Sequence, residues 1–265
     1  MQELLLDFLS PLYSFILQLI LQKFELQKLS FDSTSSRQFR ESYYQFTPQE
    51  TSAKNTKYKK LITEAIARLN KQRQETFSYD NYVHTNLLHT LWSNLRPDVR
   101  RSTNSWVCDD WGELGFQGKD PSSDFRGMGV LGLAQLTYFS QNYGRDSIKL
   151  LQSSQFDYQY FPFAATGINI TALILDLLIQ HRLDDYITGY LDHLLPYDPM
   201  ELLEEGYTDE KCVQMILSIV HDIYCQVFIA FGEQWFAARP KDLMEFPRIF
   251  KDFKQQAANR YEVYL

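Results

Sequence analysis

Apolar residues recur along most of the chain at the spacing of one face of an α-helix. Leu61, Ile62, Ala65, Ile66 and Leu69 form one stripe. Val83, Leu87, Leu88, Leu91, Trp92 and Leu95 form a second, stopped by Pro97. A longer third stripe runs through Val213, Ile216, Leu217, Val220, Ile223, Tyr224, Val227, Phe228, Phe231 and Trp235 and stops at Pro240. All three follow the i, i+3, i+4, i+7 rule. The stretch Ile168 to Ile179 is apolar almost all round, which predicts a central, buried helix. Alternation of period two is nearly absent. The pattern predicts an all-α fold with helices near 57–76, 80–95, 103–112, 125–142, 144–153, 166–181, 184–194, 209–238 and 241–262. Together these make a single compact multi-helix domain over residues 57–265.

Two segments precede that body. Residues 3–21 are strongly apolar, and residues 1–29 are expected to form an N-terminal apolar helix. Its uninterrupted part, about 14 residues, is shorter than the ~20 needed to span a bilayer. Glu3 and Asp7 precede the run, where a secretory signal would carry basic residues. The helix either docks on the body or contacts a membrane interface or a partner. Residues 30–56 are rich in Ser, Thr and Gln and are expected to form a polar linker or loop.

Charge and cysteine content narrow the function. The 265 residues hold 26 Lys+Arg against 33 Asp+Glu, a formal net charge of −7. Such a balance argues against a dedicated nucleic-acid partner, which needs a basic face. Cys108, Cys212 and Cys225 are an odd number without a CxxC pair, which predicts buried thiols in a reducing compartment. The expected location is cytoplasmic, with residues 1–28 as a candidate peripheral membrane contact.

The familiar catalytic signatures are missing. There is no P-loop, no HExxH and no GxSxG, and His84, His89, His181, His193 and His221 lack metal-ligand spacing. No metal and no cofactor is expected. Gly127-Met128-Gly129-Val130-Leu131-Gly132 fits GxGxxG by letter. The strand that a dinucleotide fold requires before it is absent, because a turn, DPSSDFR, stands there.

The stretch 111–139, WGELGFQGKDPSSDFRGMGVLGLAQLTYF, holds six of the eleven glycines. Gly112, Gly115 and Gly118, with Pro121, predict a compact loop. A central helix follows, with Ser123 or Asp124 as its expected N-cap. Two local rules are broken there. Gly127, Gly129 and Gly132 fall in the first turns, where glycine is worth ~1 kcal/mol less than alanine. Arg126 also falls in the first turn, where the helix dipole disfavours a cation. Close approach of another backbone would explain the glycines. For Arg126 two explanations stand open: a functional cation, or a pairing with Asp124 or Asp120 that fixes the loop.

This stretch resembles the core signature of the ELMO domain, in the version carried by the ELMOD proteins. Trp111, Gly115-Phe116-Gln117-Gly118, Asp120-Pro121, Asp124-Phe125-Arg126-Gly127-Met128-Gly129 and Leu131-Gly132-Leu133 fall in register, as do Tyr138-Phe139. Ser123 stands where the family commonly has Thr, and both residues can cap a helix. Weaker similarity reaches Leu91-Trp92, the segment Tyr158 to Thr171, and Phe24-Glu25-Leu26-Gln27 after the apolar N-terminal run.

The resemblance implies an all-helical domain that stimulates GTP hydrolysis by an Arf-family or Arf-like small GTPase in its GTP-bound form. It implies that Arg126 is required. No intrinsic catalysis is expected of the chain alone. The supporting loop and partner-binding set is Trp111, Gly115, Phe116, Gln117, Gly118, Asp120, Pro121, Asp124, Gly127 and Gly129. Within it, Trp111 and Phe116 are expected to pack the loop on the body, and Asp124 to orient Arg126 or cap the helix. Gln117 is expected to bond the loop, with water positioning as the other role. The small glycines are expected to let the GTPase approach. The alternative function is a non-catalytic helical adaptor that binds small GTPases or exchange factors. Membrane recruitment through residues 1–28 can coexist with either.

Overall fold

The structure is a computed structural model that describes residues 48–194 and 208–262, with side chains described for 56–191 and 208–258. The N-terminal helix expected at 1–29, and the polar stretch up to residue 47, lie outside the described residues. The unit that carries the candidate site is Asn55–Leu265.

Eight α-helices are described: α1 Pro48–Gln74, α2 Tyr82–Leu95, α3 Gly129–Asn142, α4 Gly144–Ser154, α5 Phe163–Ile179, α6 Asp184–Leu194, α7 Asp209–Ala238 and α8 Phe246–Glu262. Among the described residues there is no strand, so the all-α expectation holds. Two departures from the expectation are large, while α3, α5 and α8 begin at 129, 163 and 246 where 125, 166 and 241 were expected. α1 already runs from Pro48, so the supposed linker 30–56 ends in helix. Its polar composition hid it, although proline suits the first turn of a helix. No helix forms over 103–108; only a 3₁₀ turn, Asp109–Leu114, appears in that region.

The core is built on α3, α5 and α7. α3 packs against α2, α4, α5 and α7, which puts both sides of its Gly129–Ser140 stretch inside. α5 is buried over nearly its whole length, as expected from its unbroken apolar run. α7 is long and apolar enough to cross a membrane by length and composition. Its apolar stripe instead meets α3, α4, α5 and α8, and Tyr224, Phe228, Phe231 and Trp235 are fully buried there. Thr208 caps α7 by accepting the Lys211 N–H. The Arg68 guanidinium forks onto the Glu210 carboxylate at 2.7 and 2.6 Å and ties α1 to the first turn of α7. That pairing holds the Glu210 carboxyl down at about 2.

α2 corrects the second stripe. Val83 is exposed, and the buried face is His84, Thr85, Leu88, Leu91, Trp92 and Leu95. His84 is satisfied on both nitrogens, with Nδ1 accepting the Ser78 N–H at 3.1 Å and Nε2 facing Glu75 at 2.9 Å. All three cysteines are free thiols in the interior, as expected.

Candidate functional site

Between α2 and α3 the chain runs from Arg96 to Met128 without an α-helix. An aromatic row holds this stretch to the body. Trp92 of α2 meets Trp111 edge-on, Trp111 meets Phe116, Phe116 meets Phe125, and Phe125 meets Phe77, with ring centroids 5.2–5.9 Å apart. Arg101 lies over the rings of Trp106 and Trp111 at 4.8 and 5.0 Å. The Trp111 indole N–H donates to the Trp106 carbonyl at 2.7 Å. Trp111 is fully buried and Phe116 and Pro121 nearly so. All three lie in the interior of the loop, where the two aromatic rings pack it against the body.

Gly115 and Gly129 meet backbone demands that no other residue suits. Gly115 closes the Asp109–Leu114 turn at φ +78°, and a Cβ there would strike the Pro162–Phe163 backbone. Its carbonyl accepts the Ala165 N–H of the first turn of α5 at 3.2 Å. Gly129 opens α3 at φ +52°, and a Cβ would strike the carbonyl oxygen of Arg73. Next to it, the Val130 N–H donates to the Glu75 carbonyl at 3.0 Å, so α3 starts on the chain leaving α1. The close approach expected at Gly129 is therefore by the chain itself. Gly112, Gly118 and Gly127 are exposed, with open space where a Cβ would be.

A second 3₁₀ turn, Pro121–Arg126, carries the arginine. Asp120 caps this turn, its carboxylate accepting the Ser122 N–H at 3.0 Å, and α3 itself opens from Met128 without a side-chain cap, so the cap expected for it at Ser123 or Asp124 is not found. The same oxygen accepts the Tyr79 hydroxyl at 2.7 Å. Ser122 and Tyr79 hold the Asp120 carboxyl below the usual range. Burial, and then the bond to Asp120, pushes the Tyr79 phenol upward, so it stays a donor at neutral pH.

Arg126 sits in the last turn of this 3₁₀ helix, before α3 rather than inside it. The dipole penalty expected for a first-turn cation does not apply, because a cation suits a helix's C-terminal end. Its side chain is exposed, and Nε donates to the Ser123 carbonyl at 2.8 Å. Among the described residues no carboxylate pairs with it. Asp124 instead accepts the Gln117 N–H at 2.8 Å, and Asp120 serves Tyr79 and Ser122. The loop-fixing ion pair is thus absent. Burial raises the Asp124 carboxyl, and the Gln117 N–H and the nearby Arg126 charge partly offset it. Gln117 joins the loop through its backbone, and its side chain is exposed.

What results is a guanidinium with Nε anchored and both terminal nitrogens unpartnered among the described residues. Such a fork suits two oxygens of a phosphate. Exposed Gly127 follows it immediately, and exposed Gly118 follows Gln117, whose N–H bonds Asp124. Tyr79, which braces the turn, escaped the sequence reading. The only signal was an aromatic pair, Phe77 and Tyr79, inside an otherwise polar turn.

An all-helical domain presenting one fixed arginine from a glycine-bordered turn is what known proteins can be compared with. The family model of the ELMO/CED-12 family matches residues 67–250, and the chain belongs to that family. It is 35% identical over 195 residues to ELMO domain-containing protein B of Dictyostelium discoideum, covering 74% of this chain and 60% of that one. It is 33% identical over 174 residues to human ELMO domain-containing protein 2, covering 66% and 52%. To mouse ELMO domain-containing protein 1 it is 31% identical over 208 residues, covering 72% and 57%. The matched region thus spans between half and three fifths of these relatives' length. No solved structure matches the chain.

Proposed function

We propose that this chain is a GTPase-activating protein that supplies Arg126 in trans to an Arf-family or Arf-like small GTPase loaded with GTP. The observation that carries the reading is the state of that side chain. It is exposed and held at Nε by a main-chain carbonyl, and the two carboxylates closest in sequence are committed elsewhere. GTP hydrolysis builds negative charge on the transferred phosphoryl group and the leaving oxygen. A permanently charged, planar donor placed there is worth ~10³–10⁵ in rate, or roughly 4–7 kcal/mol of barrier. A guanidinium whose Nε is already anchored loses little further freedom on reaching that position. Exposed Gly127 beside it leaves room for the partner's surface.

The partner does the bond breaking with its own water and nucleotide, and this chain contributes charge and geometry. The cytoplasm is the location that accompanies the reading, with residues 1–28 as the proposed membrane contact. The test is a single-turnover hydrolysis panel over Arf and Arf-like GTPases. Acceleration of one or more members by the wild-type chain supports the reading. Binding without any acceleration would leave the helical adaptor in its place.

A further inference from the structure

We infer that Tyr79 is a positioning residue for Arg126, acting through an unbroken run of hydrogen bonds; the inference rests on the reading of Arg126 as the activating side chain. The Tyr79 hydroxyl donates to the Asp120 carboxylate at 2.7 Å. The Asp120 carbonyl accepts the Ser123 hydroxyl at 2.8 Å and the Ser123 N–H at 3.2 Å. The Ser123 carbonyl in turn accepts Arg126 Nε at 2.8 Å. Every member after Tyr79 belongs to the turn or is its cap. Tyr79 alone arrives from another part of the chain, 41 positions away.

That difference gives Tyr79 its role. A six-residue 3₁₀ turn has poor hydrogen-bond geometry and does not hold a direction by itself. The Asp120 cap defines where the turn begins, so fixing that carboxylate fixes the axis along which Arg126 projects. The Tyr79 ring is itself held in place. It meets Phe77 edge-on at 5.0 Å and stacks on Trp106 at 6.3 Å. Phe77 also touches Phe125, the neighbour of Arg126, at 5.2 Å. The hydroxyl is therefore a strut on a rigid mount. A charge that must meet a developing oxyanion is sensitive to such placement, since a misplacement of about 1 Å can lower a rate ~10²-fold.

Tyr79→Phe keeps the ring and removes only the strut. With a GTPase that the wild-type chain accelerates, the stimulated single-turnover rate at saturating activator is expected to fall roughly 5- to 50-fold. The half-saturating concentration is expected to stay within about twofold, because the hydroxyl removed is bonded to Asp120 and not offered to a partner. Asp120→Ala should fall as far, and the double variant no further. Asp120→Asn keeps an acceptor for the phenol and should retain most of the rate. A second readout needs no partner: the ¹⁵N–¹H signal of Arg126 Nε, assigned by its loss in Arg126→Lys. It should exchange slowly with water in the wild type and faster in Tyr79→Phe. A wild-type signal and a full rate in Tyr79→Phe would overturn the inference while leaving the role of Arg126 intact. If the wild-type chain accelerates no GTPase, the proposed function fails, and the Nε signal still decides whether Tyr79 holds Arg126.

Discussion

Asp124 gives its carboxylate to the Gln117 N–H at 2.8 Å and leaves Arg126, two residues further on, without an ion pair. The acid thereby ties the glycine loop to the turn that bears the arginine. Asp124→Ala should destabilise the chain by about 1–2 kcal/mol, the worth of a charge-assisted hydrogen bond to a loop N–H. Asp124→Asn keeps an acceptor and sheds a charge that burial already disfavours, so its stability should stay within about 0.5 kcal/mol of wild type. Denaturant unfolding of the two variants checks the pair.

The two glycines that flank Met128 should respond oppositely to alanine. At Gly129 the positive φ and the Arg73 carbonyl forbid a Cβ, and Gly129→Ala should cost more than about 3 kcal/mol. Gly127 has φ −85° and open space around it. Gly127→Ala should therefore stabilise the chain by about 0.4–1 kcal/mol, through the unfolded state. If a GTPase presses on this point, the same methyl should lower the stimulated rate while the melting temperature rises. Thermal melts run beside hydrolysis assays separate the two effects.

Two adjacent residues on α7, His221 buried and Asp222 half-buried, make a prediction about pH. Burial lowers the His221 imidazole to about 4 and raises the Asp222 carboxyl to about 6, the latter despite hydroxyl bonds from Tyr138 and Tyr143. The histidine's contribution is fully present above its unfolded value of 6.5 and is lost as pH falls through 4. The aspartate's runs the other way: it is fully present below its unfolded value of 3.8 and is lost as pH rises through 6. Each amounts to roughly 3 kcal/mol at 1.36 kcal/mol per unit. Between pH 4 and 6 they oppose each other and flatten the wild-type profile. Asp222→Asn should uncover a rise in stability from pH 4 to 6.5. His221→Gln should uncover a fall over pH 4 to 6. Chemical denaturation across this window measures both slopes.

The long helices were legible because their burial is one-sided and periodic. α5 and α7 appear almost where the apolar run and the Val213–Trp235 stripe put them. The stretch 96–128 was not legible as a shape, because its order comes from contacts distant in sequence. Examples are Trp92 with Trp111, Tyr79 with Asp120, and Gly115 with Phe163. The 103–112 helix failed for a related reason. The Asp110 carboxylate takes the Ser102 N–H and hydroxyl at 2.7 Å each, and the Cys108 N–H bonds the Lys119 carbonyl, so these groups are satisfied outside any helix. Arg126 stood out by its letters and its company. That it precedes α3 instead of beginning it, and that its neighbouring acids form no ion pair with it, required the three-dimensional arrangement.

The most direct measurement compares wild type, Arg126→Ala and Arg126→Lys in single-turnover GTP hydrolysis with one responsive Arf-like GTPase, at saturating activator. Arg126 is exposed and makes one side-chain bond, so both variants should melt within about 0.5 kcal/mol of wild type. Stimulation should drop to the GTPase's own basal rate in Arg126→Ala and recover little in Arg126→Lys, whose ammonium cannot reproduce the fork. Wild-type stimulation by a folded Arg126→Ala chain would contradict an arginine supplied in trans.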